Sequence, residues 1–443
     1  MAARVRDPPL SAAVSLRDEV VELLRELIRL DTVNPPGNET RAADLLRDYL
    51  EESGVACELY AKVPERANLV ARIPGRGGPS LALLSHTDTV LADPSEWQVD
   101  PWSGELREGE VWGRGALDMK GEVAATAVAV ASLAREGFEP AGDLIFVAAA
   151  DEEVGDDFGL SWLCREHPDA VRAEYSLNEG AGDRVELGGR AFYLCSPAEK
   201  MSSPFHLRVH GRSGHASMPG IADNALVKAA RLIEQLAEFA PEPRLEPEMT
   251  ALFETVTGEP PADAEQVVAL AWAVDPLAAE LVEPLVGMTV APTMVSASQK
   301  RNVIPALCDV TVDCRLLPGQ TQAEAEGVLS EVLGEGDYEL EWVEGQGGTR
   351  SPMEGPLWDA IESWVAETEP GAAVAPICLA GFTDSHWLRA AFGTVAYGFF
   401  PMRYMDSQLA TRLVHSADER VRVDDLELGV GFLRYAARAM GEQ

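Results

Sequence analysis

Residues 81–88 read Leu-Ala-Leu-Leu-Ser-His-Thr-Asp, an apolar run that ends in a histidine and an acid. Such a run predicts a buried β-strand. In a strand, His86 and Asp88 point to the same face, so Asp88 could orient the imidazole ring while His86 binds a metal ion. Taken alone, the pair fits a hydrogen-bonded structural histidine better, because buried polar groups usually pair.

Helical and strand-like segments are mixed around this stretch. Apolar residues at helical spacing predict a helix over 15–30, capped by Ser15, and a second helix over 41–53 that ends at Gly54. An Ala- and Val-rich helix follows Lys120. Further apolar runs predict strands at 55–60, 68–73, 81–85 and 144–150. This mixture predicts an α/β domain.

The pattern changes near residue 190, where the order β-α-β-β-α-β begins, which is the ferredoxin-like arrangement. Its predicted elements are a strand at 203–210, a helix at 223–239 capped by Asp223, strands at 288–298 and 307–315, a helix at 321–333 and a strand at 338–344. A Pro- and Glu-rich excursion at 241–287 interrupts them. We expect a catalytic domain at 1–188 and 349–443, and an inserted α+β domain at 189–348.

Four further segments carry metal-ligand residue types. Asp118 lies among glycines in Gly113–Gly121, where it could bridge two cations or cap the helix that follows. Asp151-Glu152-Glu153 follows a strand, where three adjacent acids fit a general base beside a metal ligand or a solvated turn. Glu179 follows another strand-like run, and His415 lies in a late loop. Open α/β sheets place their sites at the carboxyl ends of strands, so these segments predict one site.

Composition excludes some classes of partner. The net charge is −37, from 36 basic and 73 acidic residues, which disfavours nucleic acid and anionic membranes. The first 20 residues lack the apolar stretch of a secretion signal, and no apolar run reaches the length of a membrane span. The six cysteines are scattered without a CxxC pair, which is typical of a reduced, cytoplasmic protein.

Read in order, these segments resemble the co-catalytic zinc metallopeptidases, a family that includes aminoacylase, carboxypeptidase G, succinyl-diaminopimelate desuccinylase and acetylornithine deacetylase. The resemblance covers nearly the whole chain. The motifs that carry it are LDTVNP (30–35), SHTDTV (85–90), GRGALDMKG (113–121), DEEVG (151–155), NEG (178–180), GRSGHASMP (211–219), NVIP (302–305), DCRLLPG (313–319) and HSADER (415–420).

The resemblance implies a mixed-sheet zinc-peptidase catalytic domain with a ferredoxin-like lid and dimerisation domain. It also implies two divalent metal ions, zinc with cobalt or manganese as alternatives. The ligands would be His86 and Glu179 for one ion, Glu153 and His415 for the other, and Asp118 between them. Glu152 would be the general base, Asp88 would support the catalytic centre, and the Asp118–Met119 peptide bond would be cis.

Five residues would contact the substrate in such a family member. His215 would stabilise the oxyanion in the site of a partner subunit, which implies a homodimer. Asn302, Arg350, Gly381 and Thr383 match substrate-binding positions, although Arg350 could instead form a salt bridge at a domain boundary. The chain departs from the family pattern at His386, which leaves specificity open.

The expected reaction is hydrolysis of an amide or peptide bond next to a free carboxylate, in an N-acyl amino acid, a dipeptide or a C-terminal residue. A non-catalytic metal-binding relative is the alternative, but such a protein should have lost Glu152 or His215, and both are present. A two-metal phosphoesterase would need basic residues near the motifs, and the chain offers few.

Overall fold

A computed structural model describes residues 15–155, 157–274 and 282–441. The helices in these ranges are α1 (Leu16–Arg29), α2 (Thr40–Glu52), α3 (Lys120–Arg135), α4 (Leu160–Glu166), α5 (Pro168–Val171), α6 (Ala225–Glu238), α7 (Pro247–Thr257), α8 (Ala264–Val274), α9 (Gln322–Leu333), α10 (Pro356–Thr368), α11 (Ser385–Phe392), α12 (Ser407–Leu413) and α13 (Val423–Gly441). Short 3-10 helices lie at Pro94–Glu96, Pro219–Ile221 and Glu283–Leu285.

The strands in the same ranges are mostly short. They are β1 (Ala56–Ala61), β2 (Ala67–Ile73), β3 (Leu81–His86), β4 (Glu105–Arg107), β5 (Glu110–Trp112), β6 (Leu144–Ala149), β7 (Tyr175–Asn178), β8 (Arg184–Leu187), β9 (Arg190–Glu199), β10 (Met201–Ser202), β11 (Phe205–His210), β12 (Gly214–His215), β13 (Thr289–Ser296), β14 (Val303–Ile304), β15 (Leu307–Leu316), β16 (Tyr338–Trp342), β17 (Gln346–Gly347), β18 (Ala373–Leu379), β19 (Val395–Gly398) and β20 (Arg420–Arg422).

The helices and strands predicted from periodicity are confirmed to within a few residues, and Ser15 caps α1 by accepting a hydrogen bond from the N–H of Asp18. One predicted cap is wrong. Asn224, not Asp223, caps α6, because its side chain accepts from the N–H of Leu226. Asp223 instead pairs with Lys228. The excursion at 241–287 contains α7 and α8, which the sequence pattern did not indicate.

The chain divides into two compact units. Of the described residues, the first unit comprises 15–76, 85–155, 157–159 and 402–441, and the second comprises 77–84, 160–274 and 282–401. The predicted domain limits at residues 189 and 348 follow the extent of the ferredoxin-like arrangement, and they stay a prediction.

In the first unit, α3 is the central helix. Every residue from Lys120 to Leu133 is buried, as expected for a helix that is apolar on nearly all faces. It packs against α1 and α13. Antiparallel strands β1, β2 and β6 form a sheet in which β6 is buried along its whole length. A smaller antiparallel sheet joins β4, β5 and β20.

The second unit contains mixed pairing. The start of β3 pairs parallel to β7, β19 pairs parallel to β7, and β18 pairs parallel to β9. Strand β8 pairs antiparallel to β9. Mixed pairing of this kind agrees with the predicted mixed-sheet α/β class.

The same unit contains the ferredoxin-like arrangement. Strand β11 pairs antiparallel to both β16 and β15, and β13 pairs antiparallel to β15, which gives the order β16-β11-β15-β13. Alternate residues of β15 are buried, so one face of the sheet forms a core with α6 and α9. The predicted β-α-β-β-α-β order is confirmed.

None of the helices in the described ranges combines the length and apolar character that crossing a lipid bilayer requires. The N-terminal stretch used to argue against a secretion signal lies mostly outside the described residues.

The start of α9, a helix of the ferredoxin-like arrangement, is stabilised by a capping box that can be tested by substitution. Thr321 and Glu324 bond reciprocally to each other's backbone N–H. We expect Thr321→Ala to lower the free energy of unfolding by about 1 kcal/mol, and the midpoint of thermal unfolding by about 2 °C. Scanning calorimetry measures both.

The matched control is Thr411→Ala. Thr411 lies inside α12 and is exposed, and its hydroxyl bonds back to the carbonyl of Ser407. Alanine is a better former of helix interiors than threonine, so this variant should be neutral or slightly stabilising. Equal losses in the two variants would contradict a role for the cap.

Candidate metal centre

His86 is the last residue of β3 and is 1% exposed. Its Nδ1 lies 3.2 Å from the backbone carbonyl oxygen of Asp88 and 3.4 Å from Oδ1 of the same residue. Because a carbonyl oxygen can only accept, the proton sits on Nδ1. Nε2 then presents its lone pair, which is the form of histidine that binds a metal ion.

Asp118 lies between two histidines. Its Oδ1 is 3.1 Å from Nε2 of His86, and its Oδ2 is 3.0 Å from Nε2 of His415. The residue precedes α3, and the cap position is Met119, which has no side-chain cap. The alternative role of Asp118 as a helix cap is therefore wrong. The Asp118–Met119 peptide bond is cis, as the resemblance implied.

Glu153 completes this group. Its Oε2 lies 3.0 Å from Nε2 of His415, and its side chain is 4% exposed. Glu152, the preceding residue, points an oxygen to within 4.0 Å of Nε2 of His86. The first unit thus brings together six residues that the sequence predicted for one site: His86, Asp88, Asp118, Glu152, Glu153 and His415.

The protonation of the group reflects concentrated negative charge. Hydrogen bonds to Asp118 and Glu153 raise the pKa of His415 to about 10. Burial alone would raise the pKa of Asp118, but its contacts with His415 and His86 outweigh burial and hold that pKa far below its usual range. Burial raises the pKa of Glu153 despite its bond to His415. The carboxylates of the cluster therefore stabilise a positive charge placed among them.

These residues fit a divalent cation. One donor atom each from His86, Asp118 and Glu153 lies within 4.8 Å of the others. Two ligands about 2.1 Å from a tetrahedral zinc ion are about 3.4 Å apart, close to the separations of Asp118 from the two imidazoles. The buried Oε1 of Glu153 has no hydrogen-bond partner among the described residues, and it is available to a cation.

A buried glutamate holds the loop that carries Asp118. Glu419 is 0% exposed and accepts hydrogen bonds from the N–H groups of Gly115, Leu117 and Asp118. It also pairs with Arg114 at 2.5 Å. Sequence reasoning missed both residues, although each lies inside a quoted motif.

A second buried carboxylate holds the turn that carries Glu152 and Glu153. Asp88 is 0% exposed, and it accepts from the N–H groups of Glu152 at 3.2 Å and Glu153 at 3.1 Å. Burial alone would raise its pKa, but hydrogen bonds from His86 and Asn34 and the N–H of Glu153 lower it. Asp88 therefore contacts both the histidine ring and the acidic turn.

Left-handed backbone recurs at this centre. Among the described residues other than glycine, four have a positive φ, and three of them lie here: Asp151 at 67°, His415 at 60° and Asp418 at 60°. This conformation is disfavoured for residues with a side chain, and it concentrates at functional sites.

The other predicted site residues belong to the second unit. Glu179 directly follows β7, at the carboxyl end of that strand. His215 is exposed, lies in β12, and contacts the hydroxyl of Ser217 through Nδ1 at 2.7 Å. Asn302 is also exposed, and its carbonyl accepts from the N–H of Ala216 at 3.0 Å. Asn302 and the His215 turn are therefore neighbours.

Arg350 is paired with carboxylates. Its guanidinium lies 2.6 Å from Oε2 of Glu246 and 3.3 Å from Oε1 of Glu248, both at the start of α7. This agrees with the alternative reading of Arg350 as a salt-bridge residue, and binding of a substrate carboxylate would have to compete with these partners. Its role in binding stays a prediction.

The Gly381–His386 segment is partly buried. Thr383 donates to Oε2 of the buried Glu199 through its N–H and its hydroxyl, at 3.0 and 3.1 Å. A Cβ on Gly381 would meet open space, so packing does not require glycine there. Burial, together with the charge of Arg389, lowers the pKa of His386 to about 4, so its ring is neutral at pH 7.

Comparison with known proteins agrees with this geometry. The chain is 34% identical over 255 residues to a succinyl-diaminopimelate desuccinylase of Rhodospirillum centenum (strain ATCC 51521 / SW), which covers 54% of the chain and 63% of that relative. The chain thus matches less than two thirds of that relative's length.

Two solved structures share the fold. An M20 family metallo-carboxypeptidase, Sso-CP2 from Sulfolobus solfataricus, superposes with a TM-score of 0.76 at 18% identity, covering 96% of this chain and all of that one. A Bacillus subtilis protein described as a dinuclear metal binding peptidase from the M20 family gives a TM-score of 0.61 at 14% identity, over 96% of this chain and 99% of that one.

The family model described as peptidase family M20/M25/M40 matches residues 82–439. That span includes the ends of β3 and β6, the Asp118 loop and the His415 loop, which together form the cluster described above. The chain therefore belongs to peptidase family M20/M25/M40 and, with it, to the metallohydrolases.

Proposed function

We propose that this protein hydrolyses an amide or peptide bond next to a free carboxylate, with two divalent metal ions, zinc in the first place. The observation that carries the proposal is the placement of Asp118, whose two oxygens each face a different histidine at 3.1 and 3.0 Å. A carboxylate with one imidazole at each oxygen is suited to bridge two ions.

The remaining ligands divide between the two sides of Asp118. Glu153 lies beside His415 and would share its ion. Glu179 would complete the ion at His86, an assignment that rests on the family resemblance and on the place of Glu179 at the end of β7. When bound, such ions lower the pKa of a water molecule and polarise a carbonyl group.

Glu152 would move the proton. Its carboxylate is 13% exposed and lies 4.0 Å from Nε2 of His86, so it lies beside the ligands and remains open to a small molecule. It would take a proton from the attacking water and deliver it to the leaving nitrogen. The products would be a carboxylic acid and an amine.

His215 would donate to the developing oxyanion from a second copy of the chain. Its exposure supports this arrangement, as do two exposed apolar side chains that follow it in the chain. Met218 is 53% exposed and Ile221 is 60% exposed. Exposed apolar side chains close together are typical of a surface that another chain covers.

The substrate class rests on the relatives. The carboxypeptidase and the desuccinylase named above support cleavage next to a carboxylate, in a dipeptide, a C-terminal residue or an N-acyl amino acid. Asn302 and Thr383 would supply polar contacts, Gly381 would leave space for the substrate to approach, and Arg350 would bind its carboxylate.

All six cysteines are free, which supports a reducing, cytoplasmic location.

The reaction is tested with Glu152→Gln. The zinc-loaded protein should release amine from at least one member of a panel of N-acetyl amino acids and dipeptides. The variant should keep its zinc content, because Glu152 is not among the ligands, and lose at least about a hundredfold in kcat. EDTA should abolish activity, and zinc or cobalt should restore it. Full activity of the variant would refute the role of Glu152.

The shared site is tested by mixing two inactive variants. Glu152→Gln homodimers lack the base and His215→Ala homodimers lack the oxyanion donor. Coexpressed, they form mixed dimers in which one of two sites has both groups, so activity should return to about a quarter of the wild-type value. Mixed dimers as inactive as either parent would show that each chain uses its own His215.

The role of Arg350 is tested by removing the charge of one of its ion-pair partners. In Glu246→Gln one of the two competing carboxylates loses its charge, so KM for a substrate with a free carboxylate should fall about threefold. A C-terminally amidated analogue should show no such change. Glu242→Gln is the matched control, because Glu242 is exposed and outside this ion pair. An unchanged KM would remove Arg350 from the binding site.

A further inference from the structure

A chain of buried hydrogen bonds leads to the acidic turn from a pair that the proposed reaction does not use. Arg66 is 7% exposed and Glu39 is 0% exposed. The guanidinium grips the Glu39 carboxylate with two parallel bonds, Nε to Oε2 at 2.7 Å and Nη2 to Oε1 at 2.6 Å. Paired contacts of this kind fix the plane of the guanidinium as well as its position.

The same guanidinium also reaches Asp151. Its Nη2 donates to Oδ1 of Asp151 at 2.8 Å. The amide of Asn34 donates to the same oxygen at 2.9 Å, and to Oδ2 of Asp88 at 2.9 Å. A side-chain amide nitrogen carries two N–H donors, so the single amide of Asn34 can join two carboxylates without adding charge.

Space for Arg66 is provided by the backbone. A Cβ at Gly37, where φ is 79°, would lie 2.2 Å from Nε of Arg66. The guanidinium also lies 4.8 Å from the ring centroid of Phe158. Glycine, the aromatic ring and the glutamate together hold the arginine in one position.

The network ends at the backbone of the two functional acids. Asp151 has the left-handed φ of 67°, and its Oδ2 accepts from the N–H of Phe158 at 3.2 Å. The backbone N–H groups of the next two residues, Glu152 and Glu153, donate to the carboxylate of Asp88. The turn is therefore fixed by Asp151 at its first residue and by Asp88 at the following two.

Stability alone does not explain this arrangement. Glu39 and Asp151 are two buried carboxylates that share the one guanidinium of Arg66. Burying ionic groups costs about as much as their pairing returns, and apolar residues would often stabilise a fold as well. Residues that hydrogen-bond to metal-binding side chains or to their backbone, in contrast, are needed wherever those side chains must be held to within a fraction of an ångström.

We propose that Glu39, Arg66, Asn34 and Asp151 are positioning residues that set the direction of the Glu152 and Glu153 side chains by fixing the turn that carries them. The proposal rests on the proposed function, in which Glu153 binds a metal ion and Glu152 moves a proton. It predicts that the network tunes metal affinity and turnover from a distance.

Two substitutions of Asp151 separate positioning from a purely backbone role. Glycine adopts the left-handed conformation more easily than aspartate, but it removes every side-chain bond. Asparagine also tolerates that conformation, and it keeps Oδ1 as the acceptor for Arg66 and Asn34 while losing the bond from Phe158. A backbone role predicts that glycine is the better substitute, whereas positioning predicts that asparagine is.

The experiment is a titration of the metal-free protein with Co²⁺, followed by its visible absorption spectrum, together with kcat on the best substrate of the panel. We expect Asp151→Gly to weaken Co²⁺ binding about 10- to 100-fold and to alter the spectrum, as is usual when a residue behind the ligands is lost. Asp151→Asn should stay within about fivefold of the wild type. Ser132→Ala, a buried polar substitution near the end of α3, is the control and should bind Co²⁺ normally.

Arg66→Lys provides a second route if Asp151→Gly does not fold. Lysine keeps the charge but lacks the planar fork, so it cannot serve Glu39 and Asp151 in the same geometry. We expect a five- to twentyfold loss in Co²⁺ affinity with a circular dichroism spectrum like that of the wild type. Co²⁺ affinity and kcat within twofold of the wild type in Arg66→Lys, or Asp151→Gly performing as well as Asp151→Asn, would overturn the proposal. A wild type that binds Co²⁺ but hydrolyses nothing would instead contradict the proposed function and leave the affinity comparison decisive.

Discussion

Concentrated buried negative charge is the constraint on which the centre of the first unit depends. Asp88 and Asp151 are almost fully buried, and Asp118 and Glu153 lie beside them around two histidines. Like charges so close in a medium of low dielectric constant repel strongly unless positive charge or hydrogen bonds compensate them. The raised pKa of His415, about 10, expresses this need for positive charge, and a divalent ion answers it at the same atoms.

The protein uses two kinds of carboxylate to meet this constraint. Asp118 and Glu153 present oxygens to the histidines, whereas Asp88 and Glu419 direct theirs at backbone N–H groups of the loops that carry those ligands. Backbone N–H groups are strong partners that stabilise an anion without adding a mobile charge. Ligands and supports thus carry the same functional group, and they differ in the donors that their oxygens face.

Much of this arrangement could be predicted from the sequence because its elements are local. A histidine or acid directly after an apolar run is visible in the chain, and the ends of β3 and β6 lie where the periodicity placed them. The β-α-β-β-α-β order is visible for the same reason. The cap of α6 was misplaced by one residue, since Asp223 and Asn224 are both good caps and only the backbone conformation decides between them.

Long-range pairing could not be predicted in this way. Arg66 and Asp151 are 85 residues apart, and Leu117 and Glu419 are 302 apart, and no local pattern connects residues at such separations. The partners of Arg350 lie in the excursion at 241–287. The high Pro and Glu content of this segment did not indicate its two helices, α7 and α8. A match of Arg350 to a substrate-binding position therefore does not show that its guanidinium is available to a substrate. That depends on the acids that surround it.

The loop from His415 to Glu419 shows why ligand and support lie together. His415 approaches Asp118 at 3.0 Å, and four residues later Glu419 accepts from the N–H of Asp118 itself. Any displacement of this loop would therefore move the imidazole and the support of its neighbouring ligand in the same direction. Left-handed conformations at His415 and Asp418 turn the chain tightly enough to bring both side chains to one residue. One turn of chain therefore supplies both the imidazole that faces Asp118 and the carboxylate that holds the backbone of Asp118.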